Sequence, residues 1–216
     1  MTITPRPRRL LLLGLFPNAW VETSGDRAQP TLYLTFDDGP HPQYTPPLLE
    51  LLAEHDAKAT FFLVGNQVER HPELAKRIAQ AGHLLGNHSY SHPAFESLSL
   101  RQQVEEIERT DRLLHAIDGR LHHPFRPPRG VLSPAMLLHI LWRRRRIGYW
   151  SYDSLDYSRR PAPELIELAD RHPPRNGDIV LMHDDSDISL DVLRTMLPQW
   201  KRDGFRFRAI RPEGNP

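Results

Sequence analysis

From residue 31 to residue 210 the sequence alternates short apolar or β-branched runs with stretches of helical period, and few folds accept that order. Strands separated by helices are joined by crossovers, so neighbouring strands run parallel and need helices to cover them. The strand-like runs are residues 31–36, 59–64, 83–86, 123–126, 147–152, 178–182 and 205–210. The helix-like stretches are 47–55, 71–81, 99–118, a segment beginning at Ser133-Pro134 and closing in the arginines 143–146, then 163–172 and 190–203. Their ends carry ordinary signals: Pro72 and Pro134 in the first turn, with Gly82, Gly119 and Gly204 just past the last. Such a chain is α/β, either closed in a barrel or doubly wound, and seven strands with six helices fit a slightly incomplete barrel. No repeat, linker or low-complexity segment divides the series, which predicts one domain over residues 28–212 with residues 1–27 as an N-terminal arm or first element.

Composition removes several alternatives. A chain of 216 residues can bury a core without disulfides or a structural metal. It has no cysteine, so a metal must be held by histidines and carboxylates and no thiolate nucleophile exists. With 28 basic and 27 acidic residues there is no charge excess to suggest nucleic-acid binding. Arg6, Arg8 and Arg9 precede an apolar run at residues 10–16, a faint imitation of a signal peptide. The run is too short to span a bilayer, and Pro17-Asn18-Ala19-Trp20 reads as a turn rather than a cleavage site. The expectation is a cytoplasmic protein without a transmembrane segment, the periplasm or envelope being the alternative.

The residues least suited to a core fall just after strand ends: Asp37 and Asp38, His88, Arg126, Asp153 and Asp156, and His183. In an α/β barrel those ends converge on one face, where catalytic groups sit. His88 and His92 are four apart and can face one ion, although twelve scattered histidines would give roughly 0.6 such spacings by chance. Two surface or capping histidines are the plain alternative. Asp37 and Asp38 occupy a tight Gly39-Pro40 turn, where adjacent buried carboxylates would repel; a cation removes that conflict. A simple Asx turn is the other reading.

These segments together resemble the NodB-homology polysaccharide deacetylases, carbohydrate esterase family 4. The resemblance is carried by Thr35-Phe36-Asp37-Asp38-Gly39-Pro40 and His88-Ser89-Tyr90-Ser91-His92-Pro93. Three further motifs follow in family order: Arg126-Pro127-Pro128-Arg129-Gly130, Asp153-Ser154-Leu155-Asp156-Tyr157 and Leu181-Met182-His183. It implies a distorted (β/α)7 barrel that hydrolyses the acetamido groups of N-acetylated saccharides with a divalent metal, commonly zinc. It implies Asp38, His88 and His92 as ligands, and Asp37 as the general base toward water at the ion. Arg126 would hold that base and lower its pKa by charge attraction. His183 would be the acid that protonates the leaving amine, with Asp156 raising its pKa, while Arg129, Tyr157 and Leu181 would lie against substrate and oxyanion. Arg129 stands where tyrosine is frequent and Tyr157 where tryptophan is frequent, which bears on substrate preference more than on reaction type. The alternatives are a deacylase of a formamido sugar or small amide, and an inactive glycan-binding barrel.

Other features have bland readings. Ser89 pins the histidine loop. Arginines 143–146 complement a helix C-terminus. His122 and His123 point oppositely in a strand. Asp184, Asp185 and Asp187 help cap the last helix, and Trp142 and Trp150 pack in the core.

Overall fold

The computed structural model describes residues 5, 6, 17 and 20–211. The apolar run at residues 10–16 lies outside the described residues. In chain order the strands are β1 (Val21–Glu22), β2 (Thr31–Asp37), β3 (Thr60–Leu63), β4 (Leu84–Asn87), β5 (Ile147–Gly148), β6 (Tyr152–Asp153), β7 (Ile179–His183) and β8 (Arg206–Arg208). The helices are α1 (Thr45–Glu54), α2 (Gly65–Arg70), α3 (Pro72–Gln80), α4 (Leu100–Asp118), α5 (Pro134–Trp142), α6 (Ala162–Arg171) and α7 (Asp187–Arg202).

All ladders are parallel. The main sheet runs β4-β3-β2-β7-β6, and single bridges at Phe125 carry it from Asn87 to Ile147, where β5 pairs with β1. One edge of β2 is shared: β3 pairs Thr35, Phe36 and Asp37, while β8 pairs Thr31, Leu32 and Tyr33. The result is a distorted barrel of short strands. Alternate residues of β2 and β7 face opposite ways and sort into two cores. Leu32, Leu34, Phe36, Val180 and Met182 pack outward under the helices. Ile179 and Leu181 pack inward with Phe62, Phe125, Ile147 and Tyr149.

Four details differ from the sequence reading. β1 was not expected; it is two residues long and exists because Val21 and Glu22 pair with Ile147 and Gly148. The expected strand at 123–126 is one bridging residue, Phe125, and the expected strand at 147–152 is broken into β5 and β6. Gly65, just past the strand-like run at 59–64, opens α2, a helix absent from the sequence reading. α4 does begin as its sequence suggests: Ser99 and Gln102 form a reciprocal capping box, and Gly119 closes the helix at φ 75°. No helix among the described residues is long and apolar enough to cross a membrane.

Candidate metal and catalytic site

Register places the key groups side by side. Asp37 on β2 is paired with His183 on β7, and Thr35 with Leu181, which is in turn paired with Asp153 on β6. Paired residues of parallel strands point to the same face, so Thr35, Asp37, Leu181, His183 and Asp153 line the inside of the barrel near its mouth.

Arg126 is fully buried beneath them. Its Nη1 donates to Asp37 Oδ1 at 2.7 Å and Thr35 Oγ1 at 2.8 Å. Its Nε donates to Gly148 O at 2.9 Å and its Nη2 to Tyr149 O at 2.8 Å, and the guanidinium carbon lies 4.0 Å over the Phe62 ring. A buried guanidinium needs this many acceptors to offset its desolvation. The expectation that Arg126 would lower the Asp37 pKa is corrected here. Burial pushes that carboxyl up by more than the attraction of Arg126 pulls it down, and the net shift is upward.

Asp38, His88 and His92 converge, with one ligand atom of each within 4.8 Å of the others. His88 Nε2 and His92 Nε2 lie 3.5 and 3.4 Å from Asp38 Oδ1. An ion with bonds of about 2.0–2.1 Å to a tetrahedral set has ligand edges of about 3.4 Å. Two further observations fit an ion. Asp38 Oδ1 is buried and has no hydrogen-bond partner among the described residues. His88 Nδ1 lies 2.8 Å from the carbonyl of Arg126, an acceptor only, so Nδ1 carries the proton and Nε2 presents its lone pair. Burial pushes the His88 pKa down to about 3, which keeps that ring neutral.

The loops holding these groups are strained. Asp38, Ser89, His92, Arg129 and Leu155 all have φ between 53° and 76°, left-handed conformations that non-glycine residues adopt at a cost. Ser89 does pin the histidine loop, its Oγ accepting from His92 N at 3.1 Å. Behind it stands Asn87, which the sequence reading passed over. Its Oδ1 accepts from Ser89 N, and its Nδ2 donates to Ile107 O and Asp111 Oδ1, each at 2.9 Å. Asp111 is itself clamped by Arg145 through two hydrogen bonds. Asn87→Ala is therefore expected to weaken metal affinity by about 10–100-fold, the usual consequence of losing support behind a ligand. Competition with a chelator measures this, and unchanged affinity would show that Ser89 holds the loop unaided.

On the opposite wall His183 Nδ1 lies 2.7 Å from Asp156 Oδ1. Asp156 Oδ2 accepts from His183 N and Ser189 Oγ, both at 2.7 Å. Burial works against charging the imidazole, but Asp156, by its charge and hydrogen bond, together with Asp37 and Asp38 outweighs it, and the His183 pKa is pushed up to about 10. Tyr157 stands edge-on to the His183 ring at 5.5 Å and donates to Asp153 Oδ2 at 3.2 Å. Arg129 is exposed, and its backbone N–H has no hydrogen bond among the described residues. Leu181 is buried two residues before His183, on the same face of β7.

His123 is buried between Asp111 and Asp118 while His122 is exposed. Asp184 does not cap α7. It is buried against Gly39, where a Cβ would come within 2.2 Å of its carboxylate, and accepts from Thr45 Oγ1 at 2.7 Å. Trp150 packs in the core, but Trp142 is 76% exposed.

An α/β barrel with a group that could hold an ion and two further ionisable pairs at one mouth has the makeup of a metal-dependent hydrolase. The chain belongs to the polysaccharide deacetylase family, whose model matches residues 24–141. It is 34% identical over 205 residues to a peptidoglycan-N-acetylglucosamine deacetylase of Bacillus cereus, covering 90% of this chain and 74% of that one. It is 36% identical over 199 residues to a chitooligosaccharide deacetylase of Azorhizobium caulinodans, covering 84% and 93%. Its fold is similar to the crystal structure of the Bc1960 peptidoglycan N-acetylglucosamine deacetylase bound to 4-naphthalen-1-yl-N-oxidanyl-benzamide, with TM-score 0.84, 31% identity and coverage of 93% and 94%.

Proposed function

We propose that this protein hydrolyses N-acetyl groups on N-acetylglucosamine-type oligosaccharides or polysaccharides, releasing acetate and leaving a free amine. The observation that carries the reading is the pairing of Asp37 with His183 across adjacent strands, beside the Asp38–His88–His92 group. One ionisable group of each kind thus flanks the place where an ion and a carbonyl would meet. Asp38, His88 and His92 would hold the ion, and two imidazoles with one carboxylate suit zinc. When bound, the ion supplies Lewis acidity, which makes water a better nucleophile and polarises the acetyl carbonyl.

The remaining work falls to the chain. Asp37, kept in place by Arg126, accepts the proton of the attacking water. Its raised pKa brings a carboxylate closer to the operating pH, where a general base is most effective. The unpartnered N–H of Arg129 donates to the oxygen as it becomes an oxyanion. His183, charged and fixed through Nδ1, delivers its Nε2 proton to the departing nitrogen, so the C–N bond breaks without expelling an amide anion. Tyr157 forms a wall beside that acid, and Leu181 lies beneath it. An inactive glycan-binding barrel would have no use for the buried Arg126 or for an imidazole held charged by Asp156.

The deciding experiment is acetate release from chitooligosaccharides, peptidoglycan fragments and acetylxylan, with formate release from a formylated amino sugar run beside it. Acetate from the N-acetylglucosamine substrates is expected, and release of formate alone would transfer the assignment to a deformylase. His92→Ala is expected to lose bound metal and turnover together.

The His183–Asp156 pair also predicts a pH signature. A histidine whose pKa rises from 6.5 unfolded to about 10 folded adds stability that is complete below pH 6.5 and lost as pH climbs through about 10. The melting temperature of the wild type should therefore fall more steeply over that range than that of His183→Gln. Parallel curves would mean that the imidazole is not held charged.

A further inference from the structure

α5 has the sequence Pro-Ala-Met-Leu-Leu-His-Ile-Leu-Trp, apolar on nearly every side. A surface helix ordinarily keeps one apolar face for the core and turns a polar one outward. Here Met136 and Ile140 face the core, and the outer face presents Ala135, Leu138 and Trp142, spaced as one helical stripe. Leu138 is 68% exposed and Trp142 76%; Leu121, in the turn after α4, is 73% exposed. Leu138 and Trp142 left in water on one helix face, with Leu121 exposed at the cleft on the α4 side of that helix, imply something that covers them.

The charge around the patch identifies the cover. Residues 119–152 contain seven arginines and no acidic residue, although the whole chain has a net charge of only +1. Arg126, Arg145 and Arg146 are engaged with Asp37, Asp111 and Glu22. Arg143 and Arg144 are exposed at the end of α5 and have no carboxylate partner among the described residues. Beside the stripe, α4 and α5 are separated by a cleft of about 230 Å³ lined by apolar Val104, Ile107, Leu121 and Ile140, by Arg112, Arg143 and Arg145, and by Glu108 and Asp111, of which Asp111 is already engaged by Arg145. An apolar slot beside arginines suits an acyl chain under a phosphate headgroup. A soluble polyanion would use the arginines but leave Leu138 and Trp142 without purpose.

Topology adds a direction. In a parallel barrel each helix runs back from the mouth, so the C-terminal ends of α4 and α5 lie at the face opposite the metal site. The chain enters the fold there too, since Trp20 O accepts from Ile147 N just after the arginine run, and Trp20 is half exposed. The sequence leading into Trp20 includes Arg8, Arg9 and the apolar residues 10–16.

We propose that the outer face of α5, with Leu121 and the adjoining cleft, seats this protein on an anionic phospholipid bilayer, leaving the barrel mouth open to glycan on the aqueous side. The test is flotation of the full chain with phosphatidylcholine vesicles, with and without phosphatidylglycerol. Binding is expected only to the anionic vesicles, and to weaken with salt. Leu138→Ser/Trp142→Ser should lower partitioning at least about tenfold, and Arg143→Glu/Arg144→Glu by about tenfold or more. Both variants should release acetate from soluble chitooligosaccharide at the wild-type rate. That control separates failure of this proposal from failure of the assigned reaction. Equal binding to neutral vesicles, or undiminished binding by either variant, would overturn it. So would a self-association abolished by Leu138→Ser/Trp142→Ser, which would make a second copy the cover. A marked loss of thermal stability in that variant would overturn it as well, because the chain's own apolar segment would then be the cover.

Discussion

Replacing Asp37 with asparagine is expected to lower kcat for acetate release by a factor on the order of 10²–10⁴ while leaving the metal content unchanged. The two halves of that result test different statements. Asparagine has the shape of aspartate and keeps an oxygen for Arg126 Nη1, so the packing around it should survive. It has no basicity, so water must be deprotonated without help. The ion should stay, because the converging ligand atoms belong to Asp38, His88 and His92. Metal content by atomic spectroscopy beside steady-state kinetics is sufficient. Loss of metal in Asp37→Asn to the same extent as in His92→Ala would remove the division between base and ligand.

Arg126→Met should cost about 3–5 kcal/mol of stability near neutral pH, the range found when one partner of a buried ion pair is removed. Met roughly fills the space but offers none of the donors that now satisfy Asp37, Thr35, Gly148 and Tyr149. The loss should depend on pH with a definite sign. Burial already raises the Asp37 pKa and Arg126 opposes it; without the arginine the carboxyl titrates higher still. Protonation then relieves the buried charge, so acidification should shrink the stability gap between variant and wild type. For the same reason the acidic limb of kcat/KM should move to higher pH in the variant, since Asp37 must be ionised to act as base. Denaturant titration at several pH values and a pH–rate profile give both readouts. An unmoved acidic limb would separate Arg126 from the base.

Much of the candidate site was legible in the sequence because the polar groups that meet at the mouth follow strands, and the strands are marked by their residues. The runs ending at Asp37 and His183 are β-branched or apolar throughout, and the structure places them as adjacent ladders. What escaped depends on distance along the chain. Val21 and Glu22 show no strand period of their own and pair only because Ile147 arrives beside them. Gly65 looks like a stop, yet it opens α2, and it is glycine because Tyr90 and Thr110 leave no room for a side chain there. Asn87 meets Asp111, 24 positions away, and nothing local marks either as support for the histidine loop. Asp184 sits in an acidic string that resembles a cap, whereas its neighbour in space is Gly39. The sign of the Asp37 shift needed burial as well as partners, and burial is a property of the assembled fold.

The shared edge of β2 bears on how this protein is made. Its lower half waits for β8 and its other edge for β7, strands that begin 175 and 148 residues after Thr31. As the chain leaves the ribosome, the strand carrying Asp37 can pair at first only with β3. Asp37, Asp38, His88 and His92 therefore emerge early, but His183 on β7 joins them only after most of the barrel has been made. Hydrolytic competence should thus arrive with completion of the barrel rather than grow with chain length.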